Sequence, residues 1–269
     1  MRVVKEIPCK SWDDFKSKYS KVKNKKDYIY RGQNDANWIL ETSLQRFFKK
    51  AGILIPFPLG GLNPIDELLN KYKKLINTTE KNHKYQINDD FWGIGQHYGL
   101  PTPFLDWTKT IYKAAFFAFS DEVLQTNTHT NVAVYALQIK NVHDLGGNSN
   151  LQNVIKSNGG IKIFEPYGFK LVNPNEKLDN FRIDAQDGLF THVDGVNNLS
   201  LDLVDFFNKK IYDVYRMNKP IILKFIIPRS EYKNALSDLY SMAKIDFIGI
   251  YPDREGCAKQ AKLETILDL

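Results

Sequence analysis

Residues 91–120 read FWGIGQHYGLPTPFLDWTKTIYKAAFFAFS, which is the most aromatic and least charged stretch of the chain. Its first half contains three glycines and two prolines between positions 93 and 103, which are expected to break the chain before a helix. That helix is predicted from about Thr108 through the AAFFAF segment, and it is apolar on every side. Since a helix without a polar face is buried all round, the stretch predicts a helix in the core.

Outward from this helix, runs of β-branched and aromatic residues predict strands. Residues 28–32, YIYRG, are predicted to form a buried strand that presents Arg31 at its end. Central strands are predicted at 131–139, 161–164 and 221–227, and a last strand is predicted at 246–253, DFIGIYPD.

Helices are predicted where apolar residues recur at i, i+3 and i+4. The first predicted helix follows the N-cap Ser11. Two more are predicted at 44–50 and 65–76, the latter with Pro64 in its first turn. A fourth runs from Pro228 to about Met242, and the last is the EGCAKQAKLETIL segment near the end of the sequence. Strands and helices do not alternate strictly, which favours an α+β fold over a doubly wound sheet. We therefore expect a mixed, largely antiparallel central sheet with surrounding helices, in a single domain spanning residues 1–269.

The composition is that of an ordinary globular protein, with 43% hydrophobic and 25% charged residues. The longest apolar run, from Ala114 to Phe119, is far shorter than the roughly 20 residues that a membrane helix needs. The N-terminus has no stretch that resembles a signal peptide. We therefore expect no membrane contact and a cytoplasmic location, and the two cysteines, Cys9 and Cys257, fit a reducing compartment.

Positive charge is concentrated in the basic, helical N-terminal part, residues 1–84. This part carries 18 basic and 9 acidic side chains, although the whole chain has a net charge of only +6. Lysine clusters can follow the phosphate backbone of RNA or DNA. A solvated lysine-rich face is the alternative explanation, and the sequence favours it over nucleic-acid contact.

Several familiar catalytic motifs are missing from the sequence. It has no GxGxxG after a strand, no GxxxxGK[ST] and no GxSxG. No histidine has a cysteine or carboxylate at metal-ligand spacing, so no metal site is expected. The side chains left for chemistry are Arg31, His97, Asp106, Trp107, Arg182, Gln186, Asp253 and Glu255.

Each of these candidates also has a purely structural explanation. Asp106 or Thr108 could cap the buried helix, and His97 could be a hydrogen-bonded structural histidine. Arg31 could form a buried ion pair, and Glu255 could be a first-turn carboxylate that the helix dipole favours.

Four sequence blocks, in order along the chain, resemble the FRG domain, which is named for its [F/Y]RG motif. They are YRGQ at 30–33, FWGIGQHYGLPTPFLDWT at 91–108 with AAFFAF after it, NFRIDAQDGLF at 180–190, and YPDREG at 251–256. The resemblance covers nearly the whole chain, with Tyr30 as the motif's first aromatic residue. It implies a bacterial or phage-associated accessory protein.

The arginine at a strand end and the late glutamate are, more distantly, similar to ADP-ribosyltransferases. This similarity implies an ADP-ribosyltransferase-like fold in which Arg31 binds a phosphate of NAD and Glu255 stabilises the ribosyl cation. It also implies that His97 or Asp106 positions or deprotonates the acceptor, and that Gly32, Tyr98, Trp107 and Gln186 contribute to NAD binding. The Asp253-Arg254-Glu255 sequence is only a partial fit to the Q/E-x-E pair of such enzymes.

We therefore hypothesise an NAD-dependent, ADP-ribosyltransferase-like toxin or antiphage effector, with a nucleic acid as a candidate acceptor and an antitoxin or other regulatory protein as a candidate partner. A non-catalytic module that binds a nucleotide or a protein segment is the alternative. A nuclease is the third choice, disfavoured because no acidic metal cluster is visible in the sequence.

Overall fold

The computed structural model describes residues 3–53, 63–80, 88–120, 130–139, 162–163, 169–172, 181–193, 201–209 and 219–267. Within these residues, eight strands form one sheet. The strands are β1 (Val4–Pro8), β2 (Tyr28–Gln33), β3 (Phe104–Thr108), β4 (Asn131–Gln138), β5 (Lys162–Ile163), β6 (Phe169–Val172), β7 (Gly188–Val193) and β8 (Ile222–Pro228).

The strand order is β1-β8-β4-β2-β3-β7-β6-β5. The β1–β8 pair is parallel, and the other neighbours are antiparallel. The predicted mixed and largely antiparallel α+β sheet is therefore confirmed.

Ten α-helices are described around this sheet. They are α1 (Trp12–Ser20), α2 (Ser43–Lys50), α3 (Pro64–Thr79), α4 (Asn88–His97), α5 (Ile111–Ser120), α6 (Phe181–Ala185), α7 (Leu203–Phe207), α8 (Tyr232–Ala243), α9 (Phe247–Ile250) and α10 (Arg254–Leu267). None of the helices in the described residues is both long and apolar enough to cross a bilayer.

The all-apolar helix predicted in the core is α5, and its buried position is confirmed. It packs against β2, where three alanines give it a slim face: Ala114, Ala115 and Ala118 are fully buried. On the same side of the sheet lie α1 and α8, whose buried aromatic and aliphatic residues join this core. The helix therefore fixes the position of β2 from one face.

The opposite face of the sheet has a second apolar core. It includes Ile29 of β2, Trp107 of β3 and Tyr135 of β4, and it is covered in part by Phe206 and Phe207 of α7. Because strand residues alternate between faces, Ile29, Arg31 and Gln33 point to this side while Tyr30 and Gly32 point toward α5. The charged side chain of Arg31 thus begins within an apolar layer.

The sheet is weakest between β2 and β3. These two strands share a single register pair, Tyr30 with Thr108, whereas β2 pairs with β4 over six residues. Beyond Tyr30 the two strands therefore separate, and a space opens between them. Arg31, His97 and Asp106 are among the functional candidates that line this space.

One predicted strand is wrong. Residues 247–250 of the DFIGIYPD segment form the short helix α9 instead of a strand. Asp246 caps this helix, since its side chain accepts a hydrogen bond from the backbone N–H of Gly249 at 2.6 Å. Local capping chemistry thus overrides the β preference of the isoleucines and the phenylalanine.

The chain path through 91–108 also differs from the prediction. Helix α4 includes Gly93 and Gly95 and ends at His97, so the chain breaks at Gly99, whose φ is +82°, and at the two prolines, but not at the first two glycines. Gly95 lies against Leu100 and Tyr72, where a Cβ atom would be only 2.6 Å from Leu100 Cδ2. Thr108 ends strand β3, and α5 begins at Ile111. Asp106 is therefore a strand residue and does not cap the buried helix.

Of the predicted strand at 161–164, the structure describes residues 162–163, which form β5, while residues 161 and 164 lie outside the described residues. The expectation that this strand is central is wrong. It pairs with β6 alone and lies at the edge of the sheet. The predictions for 131–139 and 221–227 are confirmed, since β4 and β8 are interior strands. The predicted helices at the chain ends are confirmed as α1 and α10.

Candidate functional site

A cavity of about 730 Å³ opens where β2 and β3 separate. Its wall combines the end of β2 and the loop after it with α4, β3, the turn between α6 and β7, and Tyr251. Seven residues singled out from the sequence line it: Arg31, Gly32, His97, Asp106, Trp107, Arg182 and Gln186. Four sequence blocks that are far apart along the chain therefore meet at one cavity.

Arg31 lines this cavity, and 18% of its side chain is exposed. Its Nη1 donates a 2.7 Å hydrogen bond to the backbone carbonyl of Asp106 and lies 3.5 Å from the Asp106 carboxylate. Its Nε is buried and has no hydrogen-bond partner among the residues that the structure describes. Burial lowers the pKa of Arg31, and the charge of Asp106 opposes that shift. The guanidinium remains cationic at neutral pH and is not saturated by protein acceptors.

Asp106 carries the exposed carboxylate of the cavity, with 60% of its side chain accessible. Gln96 of α4 donates from Nε2 to one of its oxygens, and Gln96 Oε1 accepts a 2.5 Å hydrogen bond from the hydroxyl of Thr102. The carboxylate is thereby held in one orientation beside Arg31. A fixed, accessible carboxylate can accept a proton or stabilise a positive charge.

His97 is the last residue of α4 and faces the cavity. Its Nε2 is buried, and no described residue forms a hydrogen bond with it. Burial is the largest cause that lowers the pKa of His97, and the nearby charge of Arg182 lowers it further, while Asp106 raises it. His97 is therefore neutral at pH 7, and a neutral imidazole can act as a base.

Arg182 of α6 brings a second guanidinium to the cavity wall. Its Nε donates to Asp253 at 2.7 Å, and its Nη2 donates to Glu255 at 2.6 Å. The guanidinium also lies 5.4 Å from the ring centre of Tyr251. This cluster connects the C-terminal part of the chain to the cavity.

Glu255 lies behind the cavity and is not one of its lining residues. One carboxylate oxygen contacts Arg182, and the other contacts Lys259 at 2.8 Å. These two cations, Lys259 first, lower the pKa of Glu255 below its ordinary value. Arg31 and Glu255 therefore belong to the same region but do not face each other across the cavity, because Arg182 lies between the carboxylate and the space.

The remaining predicted residues occupy different environments. Trp107 is buried, and its indole N–H donates to Thr191 at 2.8 Å. Tyr98 is 77% exposed and is not among the lining residues. Gln186 lines the cavity, and its side chain donates to the carbonyl of Ile250 at 3.4 Å. Gln186 therefore belongs to the cavity wall, whereas Tyr98 lies on the surface outside it.

Gly32 has a packing reason for lacking a side chain. A Cβ atom at this position would lie 1.9 Å from the carbonyl oxygen of Ala114 and 2.7 Å from the amide nitrogen of Ala118, both in the backbone of α5. The glycine of the YRG sequence thus permits the contact between β2 and the buried helix. Only its backbone contributes to the cavity wall.

Sequence reasoning missed several lining residues, among them Gln33, Asn34, Trp38, Arg46 and Gln96. Arg46 contributes a third guanidinium, and its positive charge contributes to lowering the pKa of Arg31. Gln33 follows directly from the YRG motif, and Gln96 precedes His97. Their polar side chains inside otherwise apolar segments were the available signal.

Part of the positive charge of residues 1–84 is neutralised within the protein. Lys16 contacts Asp13 and Asp238, and Lys18 contacts Asp14. In the described part of the chain, no group of three or more His, Cys, Asp or Glu side chains is arranged to hold a metal ion. The cavity is instead characterised by arginines.

Fold and cavity together define an α+β protein with an arginine-lined cavity in a gap of its sheet. Residues 26–127 match the family model of the FRG domain, so the chain contains an FRG domain and the resemblance seen in its motifs is confirmed over this range. The matched range includes β2, β3 and α2 to α5, while Arg182, Gln186 and Glu255 lie outside it. Comparisons with curated proteins and with solved structures returned no match.

Proposed function

We propose that this protein binds NAD in the cavity between β2 and β3 and transfers its ADP-ribosyl group to an acceptor. The observation that carries the proposal is the guanidinium of Arg31, which lines a cavity of about 730 Å³ and whose Nε has no hydrogen-bond partner among the described residues. Cavities of about 300–1,000 Å³ are typical of small-molecule and cofactor sites. Arginine binds phosphate oxygens through paired hydrogen bonds, which matches the pyrophosphate of a dinucleotide.

In the proposed reaction, the bond between the nicotinamide nitrogen and C1′ of the ribose breaks. Its electron pair leaves with nicotinamide, which departs as a neutral molecule. A nucleophilic oxygen or nitrogen of the acceptor forms a new bond to C1′ and loses its proton. Neutral His97 or the Asp106 carboxylate would take up that proton, and both groups line the cavity.

A carboxylate must stabilise the positive charge that develops on the ribose. Asp106 is the accessible carboxylate beside Arg31, and it is held by Gln96. Glu255 reaches the cavity only through Arg182 and would have to exchange that ion pair for the substrate. We therefore propose that Asp106 directly stabilises the positive charge on the ribose. This is the role that the ADP-ribosyltransferase similarity implies for Glu255.

The test is incubation of the purified protein with NAD labelled in the adenylate part, together with RNA, DNA or a cell lysate. We expect label transfer to an acceptor, or release of nicotinamide when water is the acceptor. Arg31→Lys and Asp106→Asn should each reduce turnover at least about tenfold, because each loses a charge-assisted contact. Well-folded protein that neither transfers label nor releases nicotinamide would exclude the reaction.

Glu255→Gln separates a catalytic from a structural role for that residue. Glu67→Gln is the matched control, since Glu67 forms the same i,i+4 ion pair with Lys71 on α3 that Glu255 forms with Lys259. If Glu255 acts in the reaction, its variant loses turnover while the Glu67 variant does not. Equal activity in both variants would assign Glu255 to the Arg182 cluster alone.

A non-catalytic nucleotide-binding module is the second candidate. It is favoured by the two ion pairs that occupy both oxygens of Glu255 outside the cavity lining. This alternative predicts that NAD or ADP-ribose binds without being consumed and that Asp106→Asn leaves the cellular phenotype intact.

For the catalytic candidate we propose action as a toxin or antiphage effector. Measurement of the NAD concentration in cells that express the protein tests this proposal, and we expect NAD to be depleted.

A further inference from the structure

The cavity contains two oxygen acceptors that no donor in the described part of the chain satisfies. Gln33 Oε1 and Asn34 Oδ1 have no hydrogen-bond partner among these residues, and both side chains belong to residues that are more than nine-tenths buried. They follow Arg31 on the same strand end, and both line the cavity. Unsatisfied buried acceptors are costly, so their presence in a ligand cavity indicates a donor supplied from outside the chain.

The orientation of the Gln33 amide is fixed by its other end. Its Nε2 donates to the carbonyl of Ile39 at 3.3 Å, so Oε1 is the atom left without a partner. Residues 28 and 30 of the strand lie on the other face, whereas Arg31 and Gln33 share one face. The cavity therefore has a cationic donor and a neutral acceptor about two strand residues, or roughly 7 Å, apart.

The loop after β2 holds this acceptor region in place. Arg229 donates to the carbonyl of Asn34 at 2.8 Å, and Ala36 N–H donates to the carbonyl of Asn131 at 2.9 Å. Tyr135 donates from its hydroxyl to the carbonyl of Trp38 at 3.2 Å. Trp38 lines the cavity with 48% of its surface exposed, so its ring offers an accessible aromatic surface.

We propose that Gln33, Asn34 and Trp38 form a subsite for a planar aromatic ring that carries an NH₂ group. The NH₂ group donates to Gln33 Oε1 and Asn34 Oδ1, while the ring packs on Trp38. This inference rests on the proposed nucleotide-binding function and specifies which part of the ligand the strand end selects. The NH₂ group belongs either to the adenine amine or to the nicotinamide carboxamide, which share this donor chemistry.

Calorimetric titration with two pairs of nucleotides tests the subsite and distinguishes the two sources. ADP is compared with IDP, in which a carbonyl replaces the adenine amine, and nicotinamide mononucleotide is compared with nicotinic acid mononucleotide. We expect the NH₂-bearing member of one pair to bind at least about tenfold more tightly, because its analogue leaves two buried acceptors unpaired. Discrimination in the first pair assigns the adenine amine, and discrimination in the second assigns the carboxamide.

Two variants isolate the acceptor atom. Gln33→Met and Gln33→Glu both lose the hydrogen bond to the carbonyl of Ile39, but only Gln33→Glu retains an acceptor oxygen. The affinity ratio within the selected pair should fall at least severalfold in Gln33→Met, which keeps only the Asn34 Oδ1 acceptor of the two, and should persist in Gln33→Glu. Because the ratio compares two ligands on one protein, a general loss of folded protein lowers the binding of both ligands equally and leaves the ratio unchanged. The ratio measured on the wild-type protein still tests the subsite if a variant does not fold.

Equal binding within both pairs, or a ratio that Gln33→Met leaves unchanged, would overturn the subsite while leaving nucleotide binding intact. Discrimination without cleavage of NAD would support the subsite and remove the proposed transfer reaction. Failure of all four nucleotides to bind would overturn both.

Discussion

At the scale of single residues, the cavity is organised around a guanidinium in an unusual setting. Arg31 has only 18% of its side chain exposed, and its bonded neighbour is a backbone carbonyl at 2.7 Å, with the carboxylate of Asp106 farther away at 3.5 Å. A buried charge held mainly by a neutral acceptor carries an uncompensated desolvation cost. An anionic ligand would offset that cost.

Arg31→Met should therefore weaken ligand binding much more than folding. We expect the affinity for ADP-ribose to fall about 10- to 100-fold, because charge-assisted hydrogen bonds contribute about 1.5–3 kcal/mol. The free energy of unfolding should change by less than about 1 kcal/mol, since the desolvation cost disappears together with the bonds. Titration calorimetry and urea denaturation measure the two quantities, and a large loss of stability with unchanged affinity would assign Arg31 to the core instead.

His97 should make stability depend on pH in a defined direction. Burial lowers its pKa below the ordinary value of 6.5, so the unfolded chain binds a proton on acidification before the folded protein does. The free energy of unfolding therefore decreases as the pH falls below about 6.5 and is fully present above it. His97→Gln should flatten this dependence in urea denaturation between pH 7.5 and 5.5, and an unchanged slope would contradict the assignment.

Several of the charged and polar residues that line the cavity could be found from the sequence, but their contacts could not. Arg31, His97 and Asp106 stand out because they are polar groups in aromatic surroundings. The separation of Glu255 from the cavity depends on Arg182, whose position relative to α10 is a tertiary property. The acceptor role of Gln33 was likewise hidden, since a glutamine next to a motif does not reveal whether its amide is satisfied.

At the scale of elements, the contact between β2 and α5 determines where the cavity can form. Gly32 brings the strand against the backbone of α5, and alanines on the helix permit the approach. With one face of β2 pressed against the helix, the polar residues of the strand are left on the other face. The close packing therefore directs Arg31 and Gln33 toward the gap beside β3.

Gly32→Ala should be strongly destabilising. The added Cβ would lie 1.9 Å from a backbone oxygen of α5, which cannot move without displacing the buried helix, so we expect a loss of about 3 kcal/mol. Gly52→Ala is the control: its φ of +68° strains an alanine, but nothing lies within 4 Å of the new atom. Its loss should be about 1 kcal/mol. If urea denaturation shows similar losses in the free energy of unfolding for the two variants, the packing argument is contradicted.

Element prediction succeeded where periodicity was long and failed where local contacts decided. The β-rich run of β4 and the apolar pattern of α5 were sufficient to identify both elements. In α4, packing of Gly95 on Leu100 and Tyr72 outweighs the low helix propensity of glycine. Strand β3 was missed because its five residues lie between two prolines and the helix, where no alternating pattern is visible.

At the scale of the whole molecule, the sheet has a stable interior and less supported edges. Strand β4 pairs with β2 on one side and with β8 on the other, and residues 132–137 are buried. At the far edge, β5 has only two residues paired with β6. Stability should therefore vary strongly across the sheet.

Native-state hydrogen exchange should resolve this gradient. Amides of residues 132–137 should exchange only through global unfolding, whereas amides of β5 and β6 should exchange through local opening that costs much less free energy. Binding of a nucleotide should slow amide exchange at the end of β2 and in β3. Uniform protection across all strands would contradict the gradient.

The single residue pair between β2 and β3 has a mechanical consequence. Four strands lie on each side of this junction, so the sheet consists of two blocks with little backbone bonding between them. A ligand bound at the junction would contact both blocks, and its hydrogen bonds would take the place of the absent backbone pairs between β2 and β3. Occupancy would thus couple the blocks, so that calorimetric melting becomes more cooperative as the nucleotide concentration rises.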